Sequence, residues 1–364
     1  MTAVALVLAS STGGIGRHVL SLAIGLVGAG YSVTVYGPVG TEKSFGFTRV
    51  GARFVPVAIP AGPRPGDAVV VRTLGRALRA DPPAVMHAHG LRAGMVAGLA
   101  RPSTVPLMVT WHNLVLTGGL RGRVYRRVEG YVARAADVTL GASADLVARA
   151  RDLGATDARL AAVAAPTLPP PTRNAAEVRA ELGVAPSQPL VLSVGRLHPQ
   201  KGYDLLVAAA ATWVDPRPYV AIAGAGPAHQ DLTKGISAVR ALVHLLGHRD
   251  HVAELLAGAD VAVVTSVWEA RQIFAQEALR AGVPLVATSV GGIPELVGDA
   301  ALLVAPHDVE GIAEAVGRLL VDAALRGEYA ARGVARAATW PTVQDTLRQV
   351  TAVYGELLTG RGQR

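Results

Sequence analysis

The sequence DVAVVTSVWEARQIFAQEALRA, residues 260–281, predicts a buried strand followed by a turn and a helix. Its first part, Asp260–Thr265, is a short apolar run, which is typical of a parallel strand covered on both faces. The turn and helix contain two carboxylates, Glu269 and Glu277. Because ligands of open α/β sheets bind at the carboxyl ends of the strands, we expect this segment to belong to a ligand site.

The spacing of Glu269 and Glu277 argues against a shared catalytic pair. If residues 269–277 are all helical, the two positions lie about 12 Å apart along the axis. The paired carboxylates of glycoside hydrolases are about 5–9.5 Å apart. The two glutamates therefore fit opposite ends of one elongated ligand, with a helix N-terminus between them that favours an anion. Two ordinary surface glutamates are the alternative interpretation.

The same unit of strand, turn and helix recurs in both halves of the chain. The predicted strands are Val4–Leu8, Ser32–Tyr36, Ala84–His87, Pro106–Thr110, Val138–Leu140, Pro189–Val194, Tyr219–Ala223, Ala241–Leu245, Val261–Thr265 and Pro284–Ala287. The predicted helices are Arg17–Val27, Ala68–Arg79, Leu91–Ala100, Gly122–Arg134, Ala144–Asp152, Ala175–Leu182, Tyr203–Ala211, His251–Ala257, Phe274–Ala281, Val309–Val321 and Thr342–Leu358. This alternation predicts an α/β fold with two Rossmann-like, doubly wound parallel-sheet domains that face each other across a cleft.

Length and composition narrow the class of protein. The 364 residues exceed the ~250–300 at which single cores stop growing, and the breaker Pro166–Pro171 separates predicted domains at 1–168 and 172–340. The chain has no cysteine, which excludes disulfide frameworks and cysteine nucleophiles. Met1–Ser10 lacks a basic n-region, so we interpret it as a strand and not a signal peptide. No uncharged apolar run reaches the ~18 residues of a membrane span, and we expect a cytoplasmic protein.

The net charge of +8 raises the question of an anionic partner. Arg121–Arg127 is the dense basic cluster, and a solvated helix face is the simplest interpretation of it. Contact with an anionic acceptor, or with anionic lipid at the inner face of the membrane, is the alternative. Nucleic acid is not expected as a partner, because no aromatic residues interleave at base-stacking intervals.

Two glycine or basic turns are candidate phosphate sites. Ser11–Gly16 joins the first strand to the first helix, but Val19 occupies the third glycine position of G-x-G-x-x-G, which disfavours a dinucleotide oxidoreductase. A tight turn without a ligand is the alternative there. In the second half, Arg196 and Lys201 flank a turn at a strand end, where a guanidinium fork and an ammonium fit a diphosphate. Gly224–Pro227 is another glycine turn after a predicted strand, but Pro227 has no N–H to donate to a phosphate. We therefore expect a turn that approaches the site closely and does not bind the phosphate.

Three histidines lie at predicted strand ends of the first half. His87 and His89 end one strand and His112 follows the next, which raises the question of a three-histidine metal site. We do not favour it, because no clustered carboxylate supports it. No Asp-x-Asp pair is present for a nucleotide-bound divalent cation, nor a Gly-x-Ser-x-Gly elbow or a Walker lysine. No metal is therefore expected.

Several of these motifs follow one another in a specific order: Gly13-Gly14-x-Gly16, His112, Gly195-Arg196-x4-Lys201-Gly202, Gly224-x-Gly226-Pro227, Glu269-x7-Glu277 and Gly291-Gly292-Ile293-Pro294-Glu295. The series resembles glycosyltransferase family 4, the retaining nucleotide-sugar glycosyltransferases of GT-B fold, over nearly the whole chain. The resemblance implies that the last helix, within 342–364, returns to the first domain. It also implies transfer with retention at the anomeric carbon, without an enzyme nucleophile and without a metal.

The resemblance implies roles for individual residues in holding the donor. Gly14 and Gly16 would bring backbone N–H groups to the donor diphosphate. Arg196 and Lys201 would neutralise that diphosphate and stabilise the leaving nucleotide. Glu277 would bind the ribose hydroxyls.

The transferred sugar has its own implied contacts. Glu269 would bind its hydroxyls near the reacting carbon, and His112 would contact it from across the cleft. Backbone donors at Gln272, Ile273 and Phe274 would point at the phosphates. Many relatives have Gly-Phe-Gly after the first glutamate, whereas this chain has Ala270-Arg271-Gln272, which adds bulk and polarity beside the sugar.

The resulting hypothesis is a glycosyltransferase that moves a hexose from a UDP- or GDP-sugar, the nucleotide sugar being a co-substrate and no cofactor being required. A nucleotide-sugar epimerase of the same fold and a non-catalytic nucleotide-sugar-binding homologue are the alternatives. The acceptor is a glycan, a lipid or a small metabolite. Arg17, Leu116–Leu120 and Arg121–Arg127 are the candidate acceptor contacts.

Overall fold

The helices and strands of the protein form two compact units, Met1–Ala164 with Pro341–Arg364 (unit 1) and Ala165–Trp340 (unit 2). The computed structural model describes residues 1–11, 13–62, 64, 66–116, 118–161, 163–164, 167–214, 217–239 and 241–360. Four of the stretches singled out above contain residues outside this set: Thr12 in the first glycine turn, Thr117 in 116–120, Pro166 in the proline breaker and Arg361–Arg364 in the last segment.

Each unit contains one parallel sheet. The strands are β1 (Ala3–Leu8), β2 (Ser32–Gly37), β3 (Arg53–Pro56), β4 (Val85–His89), β5 (Leu107–Trp111), β6 (Val138–Gly141), β7 (Ala158–Leu160), β8 (Leu190–Val194), β9 (Tyr219–Ala223), β10 (Val243–Gly247), β11 (Val261–Val264), β12 (Leu285–Thr288) and β13 (Ala301–Val304). The order is β3-β2-β1-β4-β5-β6-β7 in unit 1 and β10-β9-β8-β11-β12-β13 in unit 2. The predicted fold class, two doubly wound parallel α/β sheets, is confirmed.

Helices connect successive strands in both units. They are α1 (Gly14–Gly28), α2 (Val39–Phe45), α3 (Asp67–Ala80), α4 (Leu91–Ala100), α5 (Gly119–Ala135), α6 (Ala144–Asp152), α7 (Ala175–Leu182), α8 (Tyr203–Ala210), α9 (His229–Ala238), α10 (Val252–Gly258), α11 (Ile273–Arg280), α12 (Ile293–Val297), α13 (Val309–Val321), α14 (Ala323–Ala338) and α15 (Val343–Thr359). Short 3₁₀ helices lie at Phe47–Val50 and Pro199–Lys201. Among the described helices, none combines the length and the apolar character that crossing a bilayer requires.

The central strands are apolar because both of their faces are covered. In β1, Leu6 and Leu8 are fully buried, and in β11 Val261 and Val263 are fully buried as well. β1 pairs with β2 and β4, and β8 pairs with β9 and β11. The strand order therefore reverses direction between β1 and β4 and between β8 and β11. Such switch points are where open α/β sheets bind ligands.

The last helix packs on unit 1. Its Val350, Val353 and Tyr354 belong to the hydrophobic core that β1 and α1 build. The Tyr354 hydroxyl lies 2.8 Å from Nδ1 of His87, which is on β4. Thr342 and Asp345 cap the start of the helix by a reciprocal pair of hydrogen bonds, which accounts for its start immediately after Trp340-Pro341.

Several elements were missed by the sequence patterns. Strands β3, β7 and β13 lie at sheet edges, where the strands are short and part of each is exposed. β3 and β7 also lack the continuous apolar run of a buried strand, whereas β13 is wholly apolar and was missed although it has such a run. Helix α14 buries Gly333 but none of its large side chains, so its apolar periodicity is weak. Helices α2, α9 and α12 were also missed. The predicted strand 241–245 was placed two residues early, since β10 spans Val243–Gly247.

Candidate functional site

At the switch point of unit 2, two side chains from different loops form an ion pair. Lys201 follows β8 and Glu269 follows β11, and Lys201 Nζ donates to Glu269 Oε1 at 2.5 Å. Ser266 Oγ donates to the same oxygen at 2.8 Å. The side chains of Lys201 and Glu269 are 20% and 12% exposed, so the pair is largely shielded from water. The sequence patterns treated these two residues as separate contacts and did not predict the pair.

Hydrogen bonds to backbone carbonyls hold the two loops together next to this pair. The Val267 N–H donates to the carbonyl of Gln200 at 2.8 Å, and Gln200 Nε2 donates to the carbonyl of Trp268 at 2.8 Å. Thr265 Oγ1 donates to the carbonyl of Lys201 at 3.0 Å. The position of the Lys201–Glu269 pair is therefore set by the loops and not by the two long side chains alone.

Two glycines allow this close approach. Gly202 has φ 59°, and a Cβ there would lie 2.2 Å from the carbonyl oxygen of Thr265. Gly291 has φ 52°, and a Cβ there would lie 2.1 Å from the carbonyl oxygen of Glu269. The Gly292 N–H donates to that same oxygen at 2.8 Å. The Gly291-Gly292 turn therefore packs against the backbone of Glu269 and holds its carbonyl by a hydrogen bond.

Arg196 and His198 lie in the loop that precedes Lys201. Arg196 is exposed, and within the described ranges it makes no hydrogen bond or ion pair. His198 Nδ1 accepts from the Gln200 N–H at 3.2 Å. Partial burial, reinforced by the charges of Arg196 and Lys201, lowers the pKa of His198, so its ring is neutral at pH 7. Among the described residues, Glu269 is therefore the one carboxylate that forms an ion pair with a cation of this loop.

The start of α11 differs from the expectation of a fully open helix N-terminus. Gln272 is the N-cap residue, and its side-chain oxygen accepts from the Ala275 N–H at 2.9 Å. One of the unsatisfied N–H groups is therefore already occupied, which leaves those of Ile273 and Phe274 for an anion. The Phe274 ring is 3% exposed and lies in the core, so only its backbone can meet a ligand. Glu277 is 6% exposed on the same helix.

Arg271 belongs to a group of charged residues around α11. Burial lowers its pKa, the charge of Glu295 opposes this effect, and the charges of Arg336 and Arg280 add to it. Arg271 therefore lies within electrostatic reach of the Gly291–Glu295 motif. Arg271 and Gln272 thus supply a cation and a helix cap to unit 2.

In unit 1 the glycines of the first turn have different surroundings. Helix α1 begins at Gly14, directly after its N-cap residue Gly13. The Gly16 N–H donates to Ser11 Oγ at 3.2 Å, and a Cβ at Gly16 would lie 2.1 Å from the ring of Phe45. The missing side chain of Gly16 is thus explained by packing against Phe45, while a Cβ on Gly13 would meet nothing within 4 Å.

Three histidines converge at the switch point of unit 1, but they are not the three that the sequence suggested. His18 on α1 lies with its ring centre 5.5 Å from that of His89 and 5.1 Å from that of His112. His89 Nδ1 and His112 Nε2 are 3.4 Å apart. His87 is taken up elsewhere, because Tyr354 OH lies 2.8 Å from its Nδ1 and Thr110 Oγ1 lies 2.7 Å from its Nε2.

Burial keeps these imidazoles neutral. Desolvation lowers the pKa of His18 to about 4 and that of His87 to about 3. The pKa values of His89 and His112 are lowered well below the ordinary value for the same reason. His112 can therefore exchange hydrogen bonds with a ligand at pH 7, but it carries no charge. His18 was missed because α1 comes close to the ends of β4 and β5 only through the order of the strands in the sheet, which the sequence patterns did not give. Its position one turn after Gly14 was the available signal.

The basic segment of α5 borders a cavity of about 270 Å³, which we call the arginine cavity. It is lined by Val115, Gly118, Gly119, Gly122, Arg123, Arg126, Glu129 and Arg149. Glu129 is 2% exposed and accepts from Arg149 Nη2 at 2.5 Å. Three arginines and one carboxylate therefore line the cavity, and Arg149 is paired with that carboxylate. Arg17 lies exposed on α1 and does not line this cavity.

Comparison with known families assigns both units. Residues 13–166 match the family described as "Glycosyl transferase 4-like domain", and residues 188–322 match "Glycosyl transferases group 1". Together the two matches cover most of units 1 and 2, and they include Gly13–Gly16 in unit 1 and the loop that carries Glu269 in unit 2.

Two curated relatives show how far the similarity extends. The chain is 34% identical over 181 residues to the D-inositol 3-phosphate glycosyltransferase of Mycobacteroides abscessus, which covers 47% of this chain and 41% of that protein. It is 31% identical over 378 aligned positions to the glycogen synthase of Mycobacterium tuberculosis, which covers 93% of this chain and 90% of that protein. The first match therefore spans less than half of the relative's length, and the second spans nearly all of it.

A solved structure has the same fold. The Anabaena protein HepE, determined in complex with UDP-glucose, superposes with a TM-score of 0.82 at 20% identity, over 97% of this chain and 99% of HepE. At this identity the similarity concerns the fold alone. With the two family matches and the relatives above, the chain belongs to the glycosyltransferases of family 4 type and GT-B fold, and it is a transferase enzyme.

Proposed function

We propose that the protein is a retaining glycosyltransferase that moves a hexose from a UDP-sugar to an acceptor with an anionic group. The observation that carries the donor part is the shielded Lys201–Glu269 pair at the switch point of unit 2. The pair places a cation and a hydroxyl-binding carboxylate side by side. A nucleotide sugar presents a diphosphate next to sugar hydroxyls, which matches that arrangement.

The diphosphate has three sources of positive potential in unit 2. Arg196 is exposed and offers a guanidinium fork that suits a phosphate. Lys201 has three donors, so it can keep its bond to Glu269 and still contact a phosphate oxygen. The open N–H groups at the start of α11 add the positive end of a helix dipole. These groups would stabilise the charge that the leaving UDP develops, which is the main catalytic contribution that we propose.

Glu269 is held in place before any ligand arrives. Lys201 and Ser266 both donate to its Oε1, which directs its remaining acceptor positions elsewhere. We assign those positions to hydroxyls of the transferred sugar, and the buried carboxylate of Glu277 to the ribose. Neutral His112 in unit 1 is assigned to a hydrogen bond with the sugar, and Gly14 to a backbone contact with the donor.

The reaction that follows from these roles needs no nucleophile from the enzyme. The bond between the anomeric carbon and the UDP oxygen breaks, and the acceptor oxygen bonds to the same face of that carbon. The acceptor proton passes to an oxygen of the departing diphosphate. Arg196 and Lys201 supply the positive charge that a divalent cation would otherwise supply, so we propose a metal-independent transfer.

The acceptor proposal rests on the arginine cavity. Arg123, Arg126 and Arg149 outnumber the single carboxylate of Glu129, and the N-terminus of α5 begins at the rim. A phosphate is the anion that arginine forks and helix N-termini bind well. The name of one relative, D-inositol 3-phosphate glycosyltransferase, agrees with an acceptor that carries phosphate. An anionic membrane in contact with the exposed arginines of α5 is the alternative partner.

The experiment is transfer followed by proton NMR. The purified chain is incubated with UDP-, GDP- or ADP-hexoses of α configuration, with and without inositol phosphate as acceptor. We expect UDP-hexose to be consumed, and the first sugar product to carry the α anomeric signal. Consumption of the GDP-sugar alone would show that the donor is a GDP-sugar and not a UDP-sugar. A β product would contradict retention.

A further inference from the structure

The histidines of unit 1 form a group with a geometry of its own. His18 comes from α1, His89 ends β4 and His112 follows β5. One ring nitrogen of each can be chosen so that all three lie within 4.8 Å of one another. Three imidazoles converging from three elements are the ligand set of three-histidine metal sites, whose fourth position is taken by water or a ligand.

The spacing within this group approaches that of a metal site. Zn–N bonds of about 2.0–2.1 Å in a tetrahedron put two ligating nitrogens about 3.3 Å apart. His89 Nδ1 and His112 Nε2 are separated by 3.4 Å. His18 is half-buried at the side of α1, and it is the member that has to move closer. Two of the three nitrogens are therefore already at about the separation that a shared metal requires.

His89 supplies an independent indication of a ligand. Its side chain is 2% exposed, and in the described part of the chain its Nε2 has no hydrogen-bond partner. Buried polar atoms nearly always have a partner, so an orphan points to a water or an ion. His87 does not share this need, because both of its nitrogens have partners. With a metal on Nδ1, the nitrogen whose spacing to His112 fits a metal site, a water held at Nε2 would satisfy His89.

We infer that His18, His89 and His112 bind a late first-row transition ion, with Zn²⁺ as the representative. Imidazole ligands suit Zn²⁺, Co²⁺, Ni²⁺ and Cu²⁺, whereas Mg²⁺ and Ca²⁺ require oxygen ligands. The group contains no carboxylate.

Occupation of this site has a consequence for catalysis. A metal on His112 removes the nitrogen that we assign to the transferred sugar, so the ion inhibits transfer instead of assisting it. This consequence rests on the proposed function, whereas the binding of the ion does not. The two are therefore tested separately.

The binding test uses Co²⁺, whose visible absorption reports nitrogen ligation in a small coordination sphere. The full chain is treated with chelator and titrated with Co²⁺, and Zn²⁺ is then added as a competitor. We expect one Co²⁺ per chain, displacement by Zn²⁺ and no competition from Mg²⁺. The variant His18→Asn should bind at least ~10-fold more weakly, since changes outside the ligand shell already cost ~10–100-fold.

The matched control is His229→Asn, which removes an exposed histidine of α9 and should titrate like the wild-type chain. His18→Gln and thermal melts of each variant show whether the fold is retained. Absence of Co²⁺ bands in the wild-type chain, or an unchanged titration of folded His18→Asn, would overturn the inference. Zn²⁺ inhibition of transfer in wild type but not in His18→Asn supports the consequence. Co²⁺ binding without any hexose transfer would leave the metal site standing and remove the proposed function.

Discussion

The two sheets share one strand order around their switch points, yet the residues at those points differ in chemistry. In unit 2 the loops after β8 and β11 bring Lys201 and Glu269 into an ion pair, with exposed Arg196 nearby. In unit 1 the strand ends at and beside the switch point carry His89, at the end of β4, and His112, after β5, and both side chains are buried and neutral. One edge is therefore charged and the other is not, although the topology is the same.

The difference shows that one topology can carry two kinds of site chemistry, one charged and one neutral. Charges that stay partly solvated and paired persist without a large penalty, and they suit the binding of a diphosphate. Imidazoles that are buried lose their charge and retain only hydrogen-bonding or metal-binding capacity. The sheet supplies the place for a site, and the residues that follow each strand decide its chemistry.

The largest effect should come from a change at the charged edge of unit 2, at Glu269. Glu269→Gln retains the volume but removes the charge that Lys201 holds in place, so we expect kcat for UDP-hexose to fall ~100–1,000-fold. The UDP dissociation constant should change less than kcat. The rate is measured by UDP release, with Glu310→Gln, an exposed glutamate of α13, as the control. Equal losses in kcat and in UDP affinity would contradict the role of Glu269 at the sugar.

Lys201→Ala should weaken donor binding by about 2 kcal/mol or more, roughly 30-fold, because it removes a phosphate contact and leaves the Glu269 carboxylate without its cation. Titration calorimetry with UDP measures the effect, and Lys234→Ala on the exposed face of α9 is the matched control. In the Glu269→Gln background the same change should cost less, since no charge is left unpaired. Additive effects of the two changes would show that the pair is not a unit.

Acid should destabilise unit 1 before unit 2. The pKa of His87 is about 3 in the folded chain, against an ordinary value of 6.5. The unfolded chain therefore takes up a proton between pH 6.5 and pH 3 that the folded chain refuses, so stability is full above pH 6.5 and is lost below it. At pH 5 the difference is 1.5 pH units, or about 2 kcal/mol for this one ring.

Hydrogen exchange at pH 7 and pH 5, corrected for the intrinsic rate, tests this acid effect. Peptides from β4 and β5 should lose more protection than peptides from β8 and β11. Unit 2 also contains His198 and His244 with lowered pKa values, but both are only partly buried, so their contribution is smaller. Equal loss of protection in the two units would contradict the prediction that acid destabilises unit 1 first.

A smaller effect is expected at the arginine cavity. Arg126→Ala removes one cation from its lining and should raise KM for a phosphorylated acceptor about 10-fold, with little change in KM for the donor. The neighbouring Arg127, exposed but not part of the lining, gives the matched control Arg127→Ala. Similar KM values for both variants would indicate that general positive charge on α5 matters and not this cavity.

The fold could be predicted to a large extent from apolar runs. β1 and β9 were expected within a residue or two of their observed bounds, because a strand buried on both faces has a continuous apolar sequence. The edge strands β3 and β7 could not be expected in this way, since part of each is exposed and their sequences are mixed. The edge strand β13 is wholly apolar, and it was missed although its sequence fits the pattern.

The candidate site was predictable in its members but less so in its contacts. Glu269 and Lys201 were singled out from their places after strands, but their pairing depends on β8 lying beside β11 across a separation of 68 residues. The replacement of His87 by His18 depends likewise on the bonds of His87 to Tyr354 and Thr110. Side-chain partners chosen by tertiary contacts leave no periodic signal in the sequence.

The most direct test of the central claim is a calorimetric titration of the wild-type chain with UDP-glucose. Unit 2 should bind one nucleotide sugar per chain, and UDP should compete for the same site, because the diphosphate is the group that Arg196 and Lys201 are proposed to hold. Saturable 1:1 binding with competition by UDP is the predicted result. No binding of any UDP-, GDP- or ADP-sugar would contradict the account.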